Sequence, residues 1–272
     1  MMFIDRYFVI SLLLFLVATI ESIGGLWGLW SVTGEERLVI LSVEGAVLVG
    51  LLANGYAIKN WVYRHSTETS HRFLAWATLA SLALCICGDV VNFNLPLTYY
   101  RYGGLIKHDY LADSVFFFGP GYALFLVAAC SIALSNGLKL KTLLIVLTIA
   151  SLVGGASFIS MHLPNTGLHV SMITGSYAIL ITLVGASGLM LFIALRKSTA
   201  RLALWFVASG LVLATIADGV IGQFWIYGYN GEGYYPIAKY INWSLYIASQ
   251  CMLIHLARIA VWHKNGVYTQ AT

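Results

Sequence analysis

Five carboxylic acids, Glu21, Glu44, Asp89, Asp113 and Asp218, lie within or at the edges of long apolar runs. A carboxylate at the centre of a bilayer costs ~2.5–3.5 kcal/mol on insertion scales, so such groups face a protein interior or a wet cavity. Asp89 and Asp218 each lie about two thirds of the way out along their spans, a depth at which two acids could work as a pair. A buried acid that stays neutral can deliver a proton, and a second carboxylate can balance a developing cation and activate water, as in glycosidases. The sequence does not say which of the two is the acid. Asp113 opens a helix and can simply favour that helix's N-terminal dipole. Glu21 and Glu44 could share a proton and order the first two helices.

Uncharged polar groups recur near the same depth: Asn92, Asn94, Ser157, Ser160, His162, His169, Thr174, Tyr177, Gln223, Asn242, Tyr246 and Gln250. Asn92, Tyr177, Tyr246 and Gln250, together with Glu21 and Glu44, are the candidate substrate-binding residues. A single Ser, Thr or Asn in a membrane helix often only bonds a neighbouring helix, so the case rests on the group of acids. His162 and His169 flank a short turn and read as surface histidines, not as a metal site. Cys85, Cys87, Cys130 and Cys251 show neither zinc spacing nor a disulfide framework and read as small buried hydrophobes. On a helix, the CxC of Cys85 and Cys87 puts its thiols on different faces. No metal or organic cofactor is expected.

The elements that must hold these groups are transmembrane helices. The chain has 272 residues, 60% hydrophobic and 10% charged, with a mean hydropathy of +0.83. A soluble domain is about 25% charged, and a span needs roughly 20 apolar residues. Eight spans are expected, near 7–30, 38–58, 73–95, 111–135, 142–163, 168–195, 202–228 and 237–262. The fold class is therefore an all-α integral membrane bundle in one membrane-embedded domain. The first stretch is too long for a signal-peptide core and reads as a retained span.

Eight spans divide the 15 Lys and Arg into 11 on the side of the termini and 4, Arg37, Arg101, Lys107 and Lys239, on the other. The positive-inside rule then places both termini in the cytoplasm of a plasma or inner membrane. All five acids fall in the outer half. A polar chamber open to the outer leaflet is expected, with Asp89 and Asp218 in one cavity and helices 3 and 7 side by side. Tyr99, Tyr100, Tyr102 and Tyr110 suit an interfacial loop. The basic residues form no stripe, so nucleic acid is not an expected partner.

Several short stretches carry a family resemblance. They are Cys87-Gly88-Asp89, Leu95-Pro96, Phe116-Phe117-Phe118, the run from Ala208 to Ala217-Asp218, and Leu245 to Gln250, with Tyr177 ahead of a small-residue helix. Over most of residues 73–260 the chain resembles the YhhN family of lysoplasmalogenase-like multi-pass membrane proteins. Ala217 replaces a frequent Ser, Ser114-Val115 replaces Gly-Ala, and Glu21 and Glu44 have no counterpart. The resemblance implies a hydrolase that cleaves the vinyl ether bond of lysoplasmalogens by aspartate acid/base catalysis, with Asp89 and Asp218 as the candidate catalytic pair. A membrane lysophospholipid is then the substrate partner. Two alternatives use the same carboxylates, a proton-coupled transporter and a lipid-binding membrane protein. A receptor would be expected to carry an output domain, and a retinal protein would need a lysine within its last helix.

Overall fold

The computed structural model describes residues 4–31, 35–95, 106–161, 167–196, 201–222 and 236–265. Among these there is no strand. The helices are α1 (Arg6–Leu26), α2 (Arg37–His65), α3 (Thr69–Phe93), α4 (Ile106–Ser135), α5 (Leu140–Met161), α6 (Leu168–Ala194), α7 (Arg201–Val220), α8 (Pro236–Leu253) and α9 (Leu256–Asn265). Eight segments are long and apolar enough to cross a membrane, the last of them, Ile237–Trp262, running through α8 into α9. The protein is a multi-pass membrane protein built as an all-helical bundle. Its outward face carries apolar side chains such as Leu13, Val49, Trp76, Leu152, Leu189 and Leu202, which suit lipid and not water.

Helix packing makes a closed ring. α1 packs on α2, α2 on α3, α3 on α4, α4 on α6, α6 on α7, α7 on α8, and α8 returns to α1. α5 lies outside this ring, packed on α6, and α9 turns in beneath it against α2 and α3. The expectation that helices 3 and 7 lie side by side is corrected: they stand on different sectors of the ring, separated by α4 and α6 on one path and by α8, α1 and α2 on the other. Small residues allow the close approaches. A Cβ on Gly154 would come within 2.8 Å of the α6 backbone at Ile179, and one on Gly188 within 2.7 Å of the Ala208 carbonyl oxygen.

The apolar runs are longer than their expected bounds in places. α2 continues past residue 58 because its cation is accommodated: Lys59 is 9% exposed, with Nζ 4.4 Å from the Trp76 ring centre and 4.5 Å from that of Tyr56. α4 starts at Ile106, so Asp113 sits inside its second turn as an exposed residue, not at its opening. The final span is broken. His255 N–H donates to the Met252 carbonyl at 3.2 Å, a tight turn that ends α8 and re-aims α9.

Candidate functional site

Asp89 and Tyr246 come together at the heart of the ring. α3 directs Asp89 inward, one turn before its end, and α8 brings Tyr246 to meet it. The Tyr246 hydroxyl donates to Asp89 Oδ2 at 2.6 Å, and both residues are buried. Phe118 on α4 packs edge-on to Tyr246 at 6.1 Å. The same ring lies against Gly88, where a Cβ would come within 2.6 Å of it. The glycine beside the aspartate is thus needed for space.

Asp218, from α7, faces a different neighbourhood. The hydroxyls of Tyr122 and Tyr177 lie within electrostatic reach of it, in a looser geometry than a strict hydrogen bond. Gln250 is fully buried and faces the Tyr122 hydroxyl in the same loose manner. Asp218 and Asp89 are also within electrostatic reach of each other. Asp218 lines a cavity of about 160 Å³ between α4, α5, α6 and α7, and Asn92, Tyr177 and Thr174 line it too. Asp89, Tyr246 and Gln250 are not among its lining residues. Phe118 is a wall of this cavity and also touches Tyr246, so it stands between the two carboxyl environments.

The cavity has a polarity gradient. Toward the end of the bundle away from the termini it is lined by Asn92, Ser114, Ser157 and Thr174, interleaved with Val115, Phe158 and Ile221. Toward the membrane middle it is closed by Ile181, Thr182 and Thr215. Those two threonines do not make the floor polar. Thr182 Oγ1 donates to the Ala178 carbonyl at 2.8 Å, and Thr215 Oγ1 to the Ile181 carbonyl at 2.6 Å. With their protons committed to backbone carbonyls, neither hydroxyl has a donor to offer a ligand there. Asp218 and Tyr177 sit between the two zones.

Glu21 and Glu44 form a separate group. The Lys239 ammonium pairs with Glu44 Oε1, joining α8 to α2. Both oxygens of Glu21 are buried without a hydrogen bond, within electrostatic reach of Lys239 and Glu44. Neither acid lines the cavity at Asp218. Their expected mutual pairing is replaced by an ion pair of Glu44 with Lys239, at the start of the last expected span.

Other expectations resolve individually. Asn94 caps α3 in a left-handed conformation (φ 44°), and Arg37 donates to its carbonyl at 2.8 Å and to that of Phe93 at 2.7 Å. Ser160 and His169 are exposed. Asn242 is half-buried with an unpaired carbonyl oxygen. His162, Gln223, Tyr99, Tyr100 and Tyr102 fall outside the described residues, as does the side chain of Tyr110. Cys85 and Cys251 are buried, whereas Cys87 is exposed, a correction to the reading of all four as buried. Its helical offset from Cys85 turns it to the lipid face. Sequence reasoning missed Tyr122, whose signal was a lone hydroxyl-bearing ring within an apolar span.

One further arrangement has the outline of a nucleophile and base. Ser11 Oγ lies 3.2 Å from His255 Nε2, and Arg258 NH1 lies 3.0 Å from His255 Nδ1. The guanidinium can only donate, so Nδ1 accepts and the ring proton is on Nε2. His255 therefore donates to Ser11, which also accepts from Asn54 Nδ2 at 3.0 Å and donates to the Tyr7 carbonyl at 3.0 Å. A base must accept from its serine, so this network is structural.

No family model, no curated protein and no solved structure matches the chain.

Proposed function

We propose that the protein is a membrane hydrolase of lipid substrates, cleaving the vinyl ether bond of a lysoplasmalogen by aspartate acid/base catalysis. The YhhN-like stretches around Asp89 and Asp218 suggest the reaction. The observation that carries the reading is the position of Asp218 on the wall of an amphipathic cavity, between a hydroxyl-bearing mouth and an apolar closed end. An amphiphile bound there would present its junction of head and chain to a carboxyl group.

In this reading Asp218 protonates the alkenyl carbon remote from oxygen, and an oxocarbenium ion forms at the carbon bonded to oxygen. Asp89, within electrostatic reach, helps to balance that charge. Water adds to the cation and gives its proton to the carboxylate. The hemiacetal then collapses to an aldehyde and the free hydroxyl of the head group. One water is consumed and no net proton. Tyr177 and Asn92 orient the substrate in the cavity, while Tyr246 holds Asp89 and Gln250 backs Tyr122. Substrate enters from the outer leaflet, and both termini are cytoplasmic.

The test is aldehyde release by the purified protein from lysoplasmalogens of short and long alkenyl chain. Asp218→Asn and Asp89→Asn should each reduce it by about 10²–10⁴-fold, the usual loss when acid catalysis is removed. An ester-linked lysophospholipid should not be cleaved, since protonation at carbon has no counterpart there. Equal cleavage of both lipids would replace this reading with an ester hydrolase. Retained lipid binding without any cleavage would replace it with a lipid-binding protein or a proton-coupled transporter.

A further inference from the structure

The inner end of the Asp218 cavity is a built stop. Thr215 is held by its bond to the Ile181 carbonyl. Beneath it sits Gly185, where a Cβ would come within 2.6 Å of Thr215 Oγ1. One turn further on, Gly188 brings α6 against the Ala208 carbonyl of α7, so the two helices close without a gap. The side chain of Ile181 completes the floor. Thr215 lies three residues before Asp218, so the floor is about 4.5 Å below the carboxyl along the helix axis.

The cavity volume of about 160 Å³ is close to that of engineered apolar cavities, ~150 Å³, that admit benzene. It therefore holds about six carbon atoms. We propose that this cavity gauges chain length: it binds an amphiphile whose polar end lies at Ser114, Ser157 and Thr174 and whose apolar end is a short, unbranched segment stopped by Ile181 and Thr215. The proposal refines the hydrolase reading, because it makes the preferred substrate a short-chain alkenyl ether. It stands on the cavity alone as far as binding is concerned.

The experiment measures binding, not turnover. The full chain in nanodiscs is offered saturated 1-O-alkyl glycerophosphocholines from butyl to hexadecyl at equal mole fraction, and retained lipid is read by native mass spectrometry. These ethers cannot be protonated at carbon, so catalysis does not enter. Lipid tails are as apolar as the cavity, so longer chains gain nothing by hydrophobicity. Retention should be level for the shortest chains and fall at least tenfold once the tail meets the floor. Ile181→Ala should move that cutoff to longer chains, and Ala178→Leu, which fills the wall, to shorter ones. Opposite shifts cannot both come from a damaged fold, and unchanged melting temperatures would confirm that each variant is intact. A cutoff that stays put in both variants, or retention that is indifferent to chain length, would overturn the gauge. Shifting cutoffs in a protein that cleaves no vinyl ether would leave the gauge and remove the hydrolase; cleavage with a fixed cutoff would do the reverse.

Discussion

Tyr246 and Asp89 link α8 to α3 by a hydrogen bond, and their chemistry fixes what a substitution should do. Tyr246→Phe removes the hydroxyl that donates to Asp89 Oδ2, leaving a buried acceptor without that partner. Such a loss costs about 1–3 kcal/mol. In an Asp89→Asn background the same change should cost less, and the two substitutions should be coupled by about 0.5–3 kcal/mol. Unfolding of the four proteins of the double-mutant cycle in one detergent measures this. Strict additivity would mean that the bond does not hold the helices together. Asp89 and Asp218 were legible in the sequence because an acid in an apolar run is conspicuous. Tyr122, Thr215 and the place of Phe118 between the two acids were not, because apolar and hydroxyl-bearing residues are common in membrane helices whatever they touch. Lys239 was counted only as a cation of the outer side, because a lysine at the start of a span looks the same whether it reaches water or bends back to a glutamate.

At the scale of elements, the end of the bundle that carries the termini is fastened by α9. Arg258 is 1% exposed, and its guanidinium pairs with Asp5, donates to His255 and lies 4.3 Å from the Trp262 ring centre. Asp5 also caps α1, its Oδ1 accepting from the N–H groups of Tyr7 and Phe8 at 3.1 Å. Asp5→Asn keeps a good cap and removes the charge. Breaking a buried pair costs 3–5 kcal/mol, and the partial exposure of Asp5 screens some of it, so a loss of about 3 kcal/mol is expected. Asp5→Ala should lose about 1 kcal/mol more through the missing cap. Detergent-resistant melting temperatures rank the two variants; equal losses would assign the whole effect to the ion pair and none to the cap. The break before α9 was invisible in the sequence, since Ile254 and His255 carry neither proline nor glycine. The turn is set by where Ser11 and Asp5 draw His255 and Arg258, which is a tertiary cause. The starts of α2 and α4 lie one and five residues before their expected bounds, because Arg37 and residues 106–110 read as loop although a helix accommodates them.

For the whole molecule, an even number of spans brings both chain ends to one face, and the pairing of Asp5 with Arg258 ties the start of α1 to the last segment at that face. The ring then divides into two halves of different character. The half near the termini is packed with large apolar side chains such as Leu51, Leu82, Phe125 and Leu204, plugged by α9, whereas the other half holds Glu21, Glu44, Asp89 and the cavity at Asp218. That asymmetry becomes functional only with an orientation. Eleven of the 15 basic residues belong to the side of the termini, and cations in short loops are retained in the cytoplasm. In the proposed orientation the acids and the mouth of the cavity would face the outer leaflet, where the proposed single-chain lipid could enter by its apolar end. Reporter fusions after Lys264 and within the loop from Tyr229 to Pro236 should fall on opposite sides, with the reporter at Lys264 cytoplasmic. Both reporters on one side would break the count of eight spans. A swapped result would keep the bundle and turn the cavity mouth toward the cytoplasm, so that any lipid reaching Asp218 would come from the inner leaflet.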